Sequence, residues 1–158
     1  MKLLKPIILL SVVTLFVYSC KKTDDNTNNN NNNGGSTKTK LELLTQKNWK
    51  VSSLVSSGTD LWGTFLVEAC NKDNQYRFRT DDSLSLYDMA SKCSPTDPDS
   101  SVSIYKFYNN NTQLILNVKL TSTNTLNDTA DIVELSESML KINAVYSGVP
   151  ATISFSHP

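Results

Sequence analysis

The residues best equipped for chemistry in this chain are few and scattered: one imidazole, three thiols and some neighbouring carboxylates. The sole histidine, His157, is followed only by Pro158, so a Ser-His-Asp arrangement has to assemble around a frayed terminus. Acidic neighbours occur at Asp81-Asp82 and at Asp97 with Asp99. A glycosidase pairs two such acids, but Pro, Ser and Asp crowd both places and turn chemistry accounts for them. The five glycines are dispersed, which removes a phosphate-cradling loop. A metal centre lacks ligands, because Cys70 and Cys93 stand apart instead of in paired spacing and one histidine cannot complete a tetrahedral set. The sequence therefore predicts no catalytic residue, no metal and no cofactor, and reads as a non-enzyme.

The third thiol has a different setting. Lys2 and Lys5 give a basic start, Ile7 to Val17 an apolar stretch of eleven residues, and Ser19 a small residue directly before Cys20. This resembles a bacterial lipoprotein signal. The resemblance implies cleavage before Cys20, diacylglycerol on its thiol and fatty acylation of its new amino group, with residues 1–19 as the signal peptide. The alternatives are an uncleaved membrane helix and an ordinary secretory signal cut elsewhere. The apolar stretch falls well short of the roughly 20 residues that span hydrocarbon, so the expected anchor is lipid. At about 0.8 kcal/mol per buried methylene, one acyl chain binds reversibly and two or three hold nearly permanently.

Residues 20–38 read as a tether. Lys21-Lys22-Thr23-Asp24-Asp25 leads into an asparagine-rich run from Asn26 to Asn33 and then Gly34-Gly35-Ser36. Nothing there is apolar enough to offset the entropy of ordering. As a flexible coil, about 18 residues reach roughly 20–25 Å. The Lys-then-Asp pattern behind Cys20 also resembles export signals of Gram-negative lipoproteins, which implies the outer membrane and its outer face. A few solvated linker charges are the plainer reading. Fifteen basic side chains balance fifteen acidic ones without a clustered positive stripe, so a nucleic-acid partner is not expected.

With Cys20 on the lipid, Cys70 and Cys93 remain as an even pair, which is expected to be oxidised outside the cytoplasm.

Residues 39–158 are enough for one domain. Thr39 is placed to cap a short helix over Lys40 to Gln46, with Leu41, Leu43 and Leu44 as its apolar patch. Strand patterns then recur over 48–56, 74–80, 84–89, 102–108, 113–120, 125–135, 139–146 and 151–156. Asp81-Asp82, Asn109 to Asn111, Ser136-Glu137 and Ser147 to Pro150 supply the turns. Eight strands without crossover helices imply an antiparallel meander, and closing it removes its edges. The expected fold is all-β, a small eight-stranded antiparallel barrel with a short N-terminal helix. A half-open sheet wrapped on the helix and a two-sheet sandwich are the alternatives.

The run Leu43 to Val51, with Trp49 inside it, resembles the opening of bacterial lipocalin-like domains. Ala69 to Asn74, followed by Tyr76-Arg77-Phe78 and later Lys92-Cys93, is similar to that family's cysteine pair. Ile132 to Leu135 with Met139 to Ile142 resembles its closing hairpin. Ser103 to Phe107 departs from the glycine-and-tryptophan start that the family uses there. The resemblance implies a lipocalin-like barrel in the envelope and transfers no ligand.

Leu61 to Val67 forms a long apolar connection, a place where Trp62 and Phe65 can line the mouth of a barrel. Together with Tyr76, Phe78, Tyr105 and Phe107 they are the candidate contacts for a ligand or partner, although inward aromatics are more often packing. The expected function is binding of a small apolar ligand in or at the mouth of the barrel. The alternative is an interaction or accessory module of surface machinery with a solid core.

Overall fold

A computed structural model of the protein describes residues 38–158; the expected signal peptide, Cys20 and the expected tether as far as residue 37 lie outside the described residues. Thr39 opens helix α1, Lys40–Thr45, with a reciprocal capping box. Its backbone N–H donates to the Glu42 carboxylate at 2.7 Å, and the Glu42 N–H donates to Thr39 Oγ1 at 3.2 Å. Six residues cannot persist alone, so α1 depends on its contacts. Leu43 and Leu44 are buried, whereas Leu41, expected to join them, is exposed.

The strands are β1 Lys50–Ser56, β2 Thr59–Asp60, β3 Gln75–Phe78, β4 Ser83–Tyr87, β5 Ser100–Tyr108, β6 Gln113–Lys119, β7 Thr125–Leu135, β8 Met139–Tyr146 and β9 Val149–Ser156. They form one antiparallel sheet in the order β2-β1-β9-β8-β7-β6-β5-β4-β3. The expected count of eight becomes nine. The addition is the two-residue β2, too short to leave an alternation in the sequence and created by the turn at Ser57 and Gly58, whose φ angles are 50° and 79°. Two-residue hairpin loops need such left-handed angles.

The sheet curls into a half-barrel. Its ends meet at a single bridge, where Trp49 N–H donates to Tyr76 O at 2.8 Å and Tyr76 N–H to Trp49 O at 2.7 Å. Trp49 also donates from Nε1 to Leu44 O at 2.8 Å, which binds α1 to the seam.

Alternation sends Leu114, Leu116 and Val118 of β6, Leu140 and Ile142 of β8 and Ile153 and Phe155 of β9 inward. A register shift between Val51 and Ser53 lets Val51 and Leu54, three apart, both face the core. Twenty-four buried residues make one continuous cluster, so side chains fill the interior of the curl. Burying each large apolar side chain contributes roughly 1.5–3 kcal/mol.

The antiparallel order also sorts the connections. Helix α1, the turns after β3, β5 and β7, and His157 gather at one end, here the helix end. The turns after β1, β6 and β8 and the segments 61–74 and 88–99 gather at the other, the loop end.

Candidate functional site: the loop end

Segment 61–74 begins along the free edge of β1. Asp60 Oδ1 accepts from Leu54 N at 3.2 Å and from Trp62 N at 3.0 Å, and Leu61 N donates to Leu54 O at 2.7 Å. Thr64 then folds the chain back. Its N–H and hydroxyl both donate to Leu61 O, and its Oγ1 accepts from Leu66 N. Trp62 and Val67 are driven into the core on either side of this tight turn. Phe65 and Leu66 between them project, 93% and 62% exposed.

Three ties hold the base of the segment. Cys70 and Cys93 lie at disulfide-bonding distance with Cα atoms 5.1 Å apart. The Glu68 carboxylate accepts from Asn71 Nδ2 at 3.2 Å and also from Ser122 Oγ in the turn after β6. Asp73 Oδ2 accepts from Ser91 N at 3.1 Å, and Lys72 Nζ donates to Thr64 O at 3.2 Å. The segment 88–99 is folded by Asp97, whose carboxylate accepts from Ser94 N at 2.9 Å. Lys92 pairs with Asp99 and donates to Asp97 O at 3.0 Å. The hydrogen bond and charge of Lys92 hold the Asp99 carboxyl below its ordinary range, and Asp99 raises Lys92 in return.

The six aromatic residues singled out in the sequence do not converge. Trp62, 7% exposed, is a core residue. Tyr76, Phe78 and Tyr105 are buried, and Phe107 packs half-buried against them. Their rings meet edge to face: Tyr76 on Phe155 with centroids 5.7 Å apart, Phe78 on Tyr105 at 5.0 Å, and Tyr105 on Phe107 at 6.3 Å. The buried hydroxyls are satisfied within the fold, Tyr76 donating to Lys119 O at 3.3 Å and Tyr105 to Arg79 O at 2.7 Å. Burial pushes the Tyr76 phenol well up and the Tyr105 phenol up to about 12, so both stay protonated donors. Phe65 alone of the six faces solvent.

The carboxylate pairs are turn residues. Asp81 accepts from the hydroxyl of Ser83 at 2.6 Å and from its N–H at 3.1 Å, which lowers its carboxyl below the ordinary range. Asp82 takes the left-handed position of that turn, with φ 62°. Glu68, Cys70 and Cys93 approach one another closely enough to suggest three metal ligands. Their sulfurs, however, are within bonding distance of each other, and a disulfide has no thiolate to offer a metal.

Sequence reasoning missed Asp60, Glu68 and the two asparagines Asn71 and Asn74. Only Asp60 left a signal, as a short acid beside a chain reversal. The roles of the others depend on what the fold brings near them. No protein-family model matches the chain, and no curated protein matches it.

Proposed function

We propose that this protein is an envelope lipoprotein, anchored through acylated Cys20, whose lipocalin-like domain is a non-enzymatic interaction module that uses its loop end. One observation carries the reading. The chain enters the domain at the helix end, while the exposed pair Phe65-Leu66 stands at the loop end on a base tied by three separate contacts. A display module places its contact residues away from its tether, on a loop held by a rigid scaffold. Exposed aromatic side chains on such loops are favoured as contact anchors. The packed interior supports the same reading over the small-ligand carrier, since Phe78, Tyr105 and Phe107, expected to line a cavity, pack on one another and Tyr76 packs on Phe155.

Two measurements test it. Cys20→Ala abolishes incorporation of labelled fatty acid; label persisting on the variant sinks the anchor. Native mass spectrometry of protein purified from membranes gives the mass of the lipidated chain alone. A stoichiometric apolar molecule released on denaturation returns the function to the carrier.

A further inference from the structure

Strand β5 sends large side chains to both of its faces. Tyr105 and Phe107 point into the curl, while Val102, Ile104, Lys106 and Tyr108 share the outer surface. Val102 and Ile104 are 70% and 71% exposed, although threonine would serve a strand equally well at either position. Lys106 stands between Ile104 and Tyr108 and directly across from exposed Ile115 on β6, so its aliphatic stem continues the apolar row. Single exposed apolar side chains are ordinary; a contiguous row is not.

The same face is basic. From Gln75 to Arg79 and along β4, β5 and β6 the chain carries Arg77, Arg79, Lys106 and Lys119 and no acidic residue. None of these cations is in an ion pair among the described residues. The Arg79 guanidinium donates to the Tyr87 hydroxyl at 2.7 Å and to Ser85 Oγ at 3.4 Å, which lays it across the outside of β4, and Ser85 is the cross-strand partner of Val102. Carboxylates stand at the borders: Asp81 and Asp82 in the turn after β3, Asp88 and Asp99 at the loop end, and Asp131 on β7. Asp81 is turned back onto Ser83, Asp99 is paired with Lys92, and Asp131 accepts from Gln113 Nε2 at 2.7 Å. The fold gathers the four cations from distant segments, so no basic run announces the face in the sequence.

We propose that the outer face of β4, β5 and β6 docks on an anionic lipid bilayer, the membrane that holds Cys20; the docking rests on the acyl anchor proposed above. Cations set around exposed apolar side chains fit a headgroup layer, where the charges meet phosphates and the apolar tips enter the acyl boundary. The 18 residues from Cys20 to Lys38 allow at most about 60–65 Å of chain, so an acylated protein stays close to its bilayer and weak contacts suffice to seat it. That proximity favours the bilayer over an acidic protein. β5 and β6 lie round the curl from the seam where β1 and β3 meet. Docking therefore turns the Phe65-Leu66 projection, which starts from the edge of β1, away from the membrane.

The test uses the full lipidated chain with its disulfide intact, in vesicles of equal parts phosphatidylglycerol and phosphatidylcholine or of phosphatidylcholine alone. Intact mass first reads the acyl groups on Cys20. A water-soluble amine-acylating reagent then labels the lysines, and peptide mass spectrometry gives each rate, with exposed Lys47 as the internal reference. On the anionic vesicles Lys106 and Lys119 are labelled at least about fivefold more slowly, relative to Lys47, than on the neutral ones, the factor that one basic residue contributes near such a surface. This wild-type comparison requires no variant to fold. The protection fades in about 0.5 M NaCl. Read at Lys119, it falls at least about threefold in Ile104→Asp and in Lys106→Glu, exposed positions that spare the fold. A chain without acyl groups on Cys20 removes the anchor and the docking with it. An acylated chain whose Lys106 and Lys119 react alike on both vesicles keeps the anchor and overturns the docking. Equal protection by soluble polyglutamate also overturns it and assigns the face to an acidic protein.

Discussion

The imidazole of His157 lies against the indole of Trp49, with ring centroids 4.2 Å apart and planes inclined by 36°. Its Nδ1 is 2.8 Å from Asn48 O and its Nε2 2.7 Å from Glu137 O. A carbonyl only accepts, so the ring donates to one of them when neutral and to both when protonated. The residue that the sequence left without a role thus joins the end of β9, the entry to β1 and the turn after β7. It does so beside the one bridge that links the two ends of the sheet.

His157→Ala is therefore expected to destabilise the domain by about 1–3 kcal/mol, the sum of a lost aromatic contact and a carbonyl left without its donor. Denaturant titration followed by tryptophan fluorescence measures it, since Trp49 reports the site directly. A loss below about 0.5 kcal/mol, the usual size of an unimportant surface change, would return His157 to the status of an incidental end residue.

The Cys70–Cys93 link should behave as a loop closure of the unfolded chain. With a sequence separation of 23, its removal costs about 2–4 kcal/mol in Cys70→Ser with Cys93→Ser. Peptide mapping without reductant reads the pairing itself. Two freely alkylated thiols in fresh protein would reject it.

Acid should loosen the helix end before it unfolds the sheet. The backbone and side-chain hydrogen bonds of Thr39, with the charge of Lys38, lower the Glu42 carboxyl beneath its ordinary value of 4.5. A carboxyl depressed in the folded state contributes stability above its unfolded value, and that contribution disappears as pH falls through the folded one. The Thr39 amide resonance should report this opening at a pH below 4.5. Glu42→Ala should remove the transition while leaving the sheet intact. Persistence of that transition in Glu42→Ala would assign it to another group.

The legible parts of this fold are those whose signal is local. Leu114, Leu116 and Val118 alternate and face inward as read. The asparagines 109–111 all adopt positive φ, from 50° to 61°, as their residue type permits. Thr39 and Glu42 form the capping box that their spacing offers. What escaped detection was set by distant partners. The broken alternation of Val51 and Leu54 became interpretable only with the register shift against β9. The half-open curl, in place of a closed barrel, follows from how few groups β1 and β3 share, which neither segment records alone. At the loop end, the sequence marked Trp62 and Phe65 as equals. Three residues of chain and a turn at Thr64 give them opposite environments.

That contrast is open to test. Trp62 is buried and Phe65 is 93% exposed, so Trp62→Ala should cost about 3–5 kcal/mol, the usual loss when a large aromatic leaves a core. Phe65→Ala should fall within about 0.5 kcal/mol of the parent, because an exposed ring gives up little contact on folding. The pair therefore separates scaffold from surface in one experiment. If the loop end is the contact face, Phe65→Asp abolishes partner engagement on cells while leaving the denaturation midpoint in place. Trp62→Ala instead lowers the midpoint, and any loss of engagement follows the unfolded fraction. A Phe65 variant that unfolds the domain would show this ring to be packed in the working protein, and one that is stable and fully active would move the contact face elsewhere.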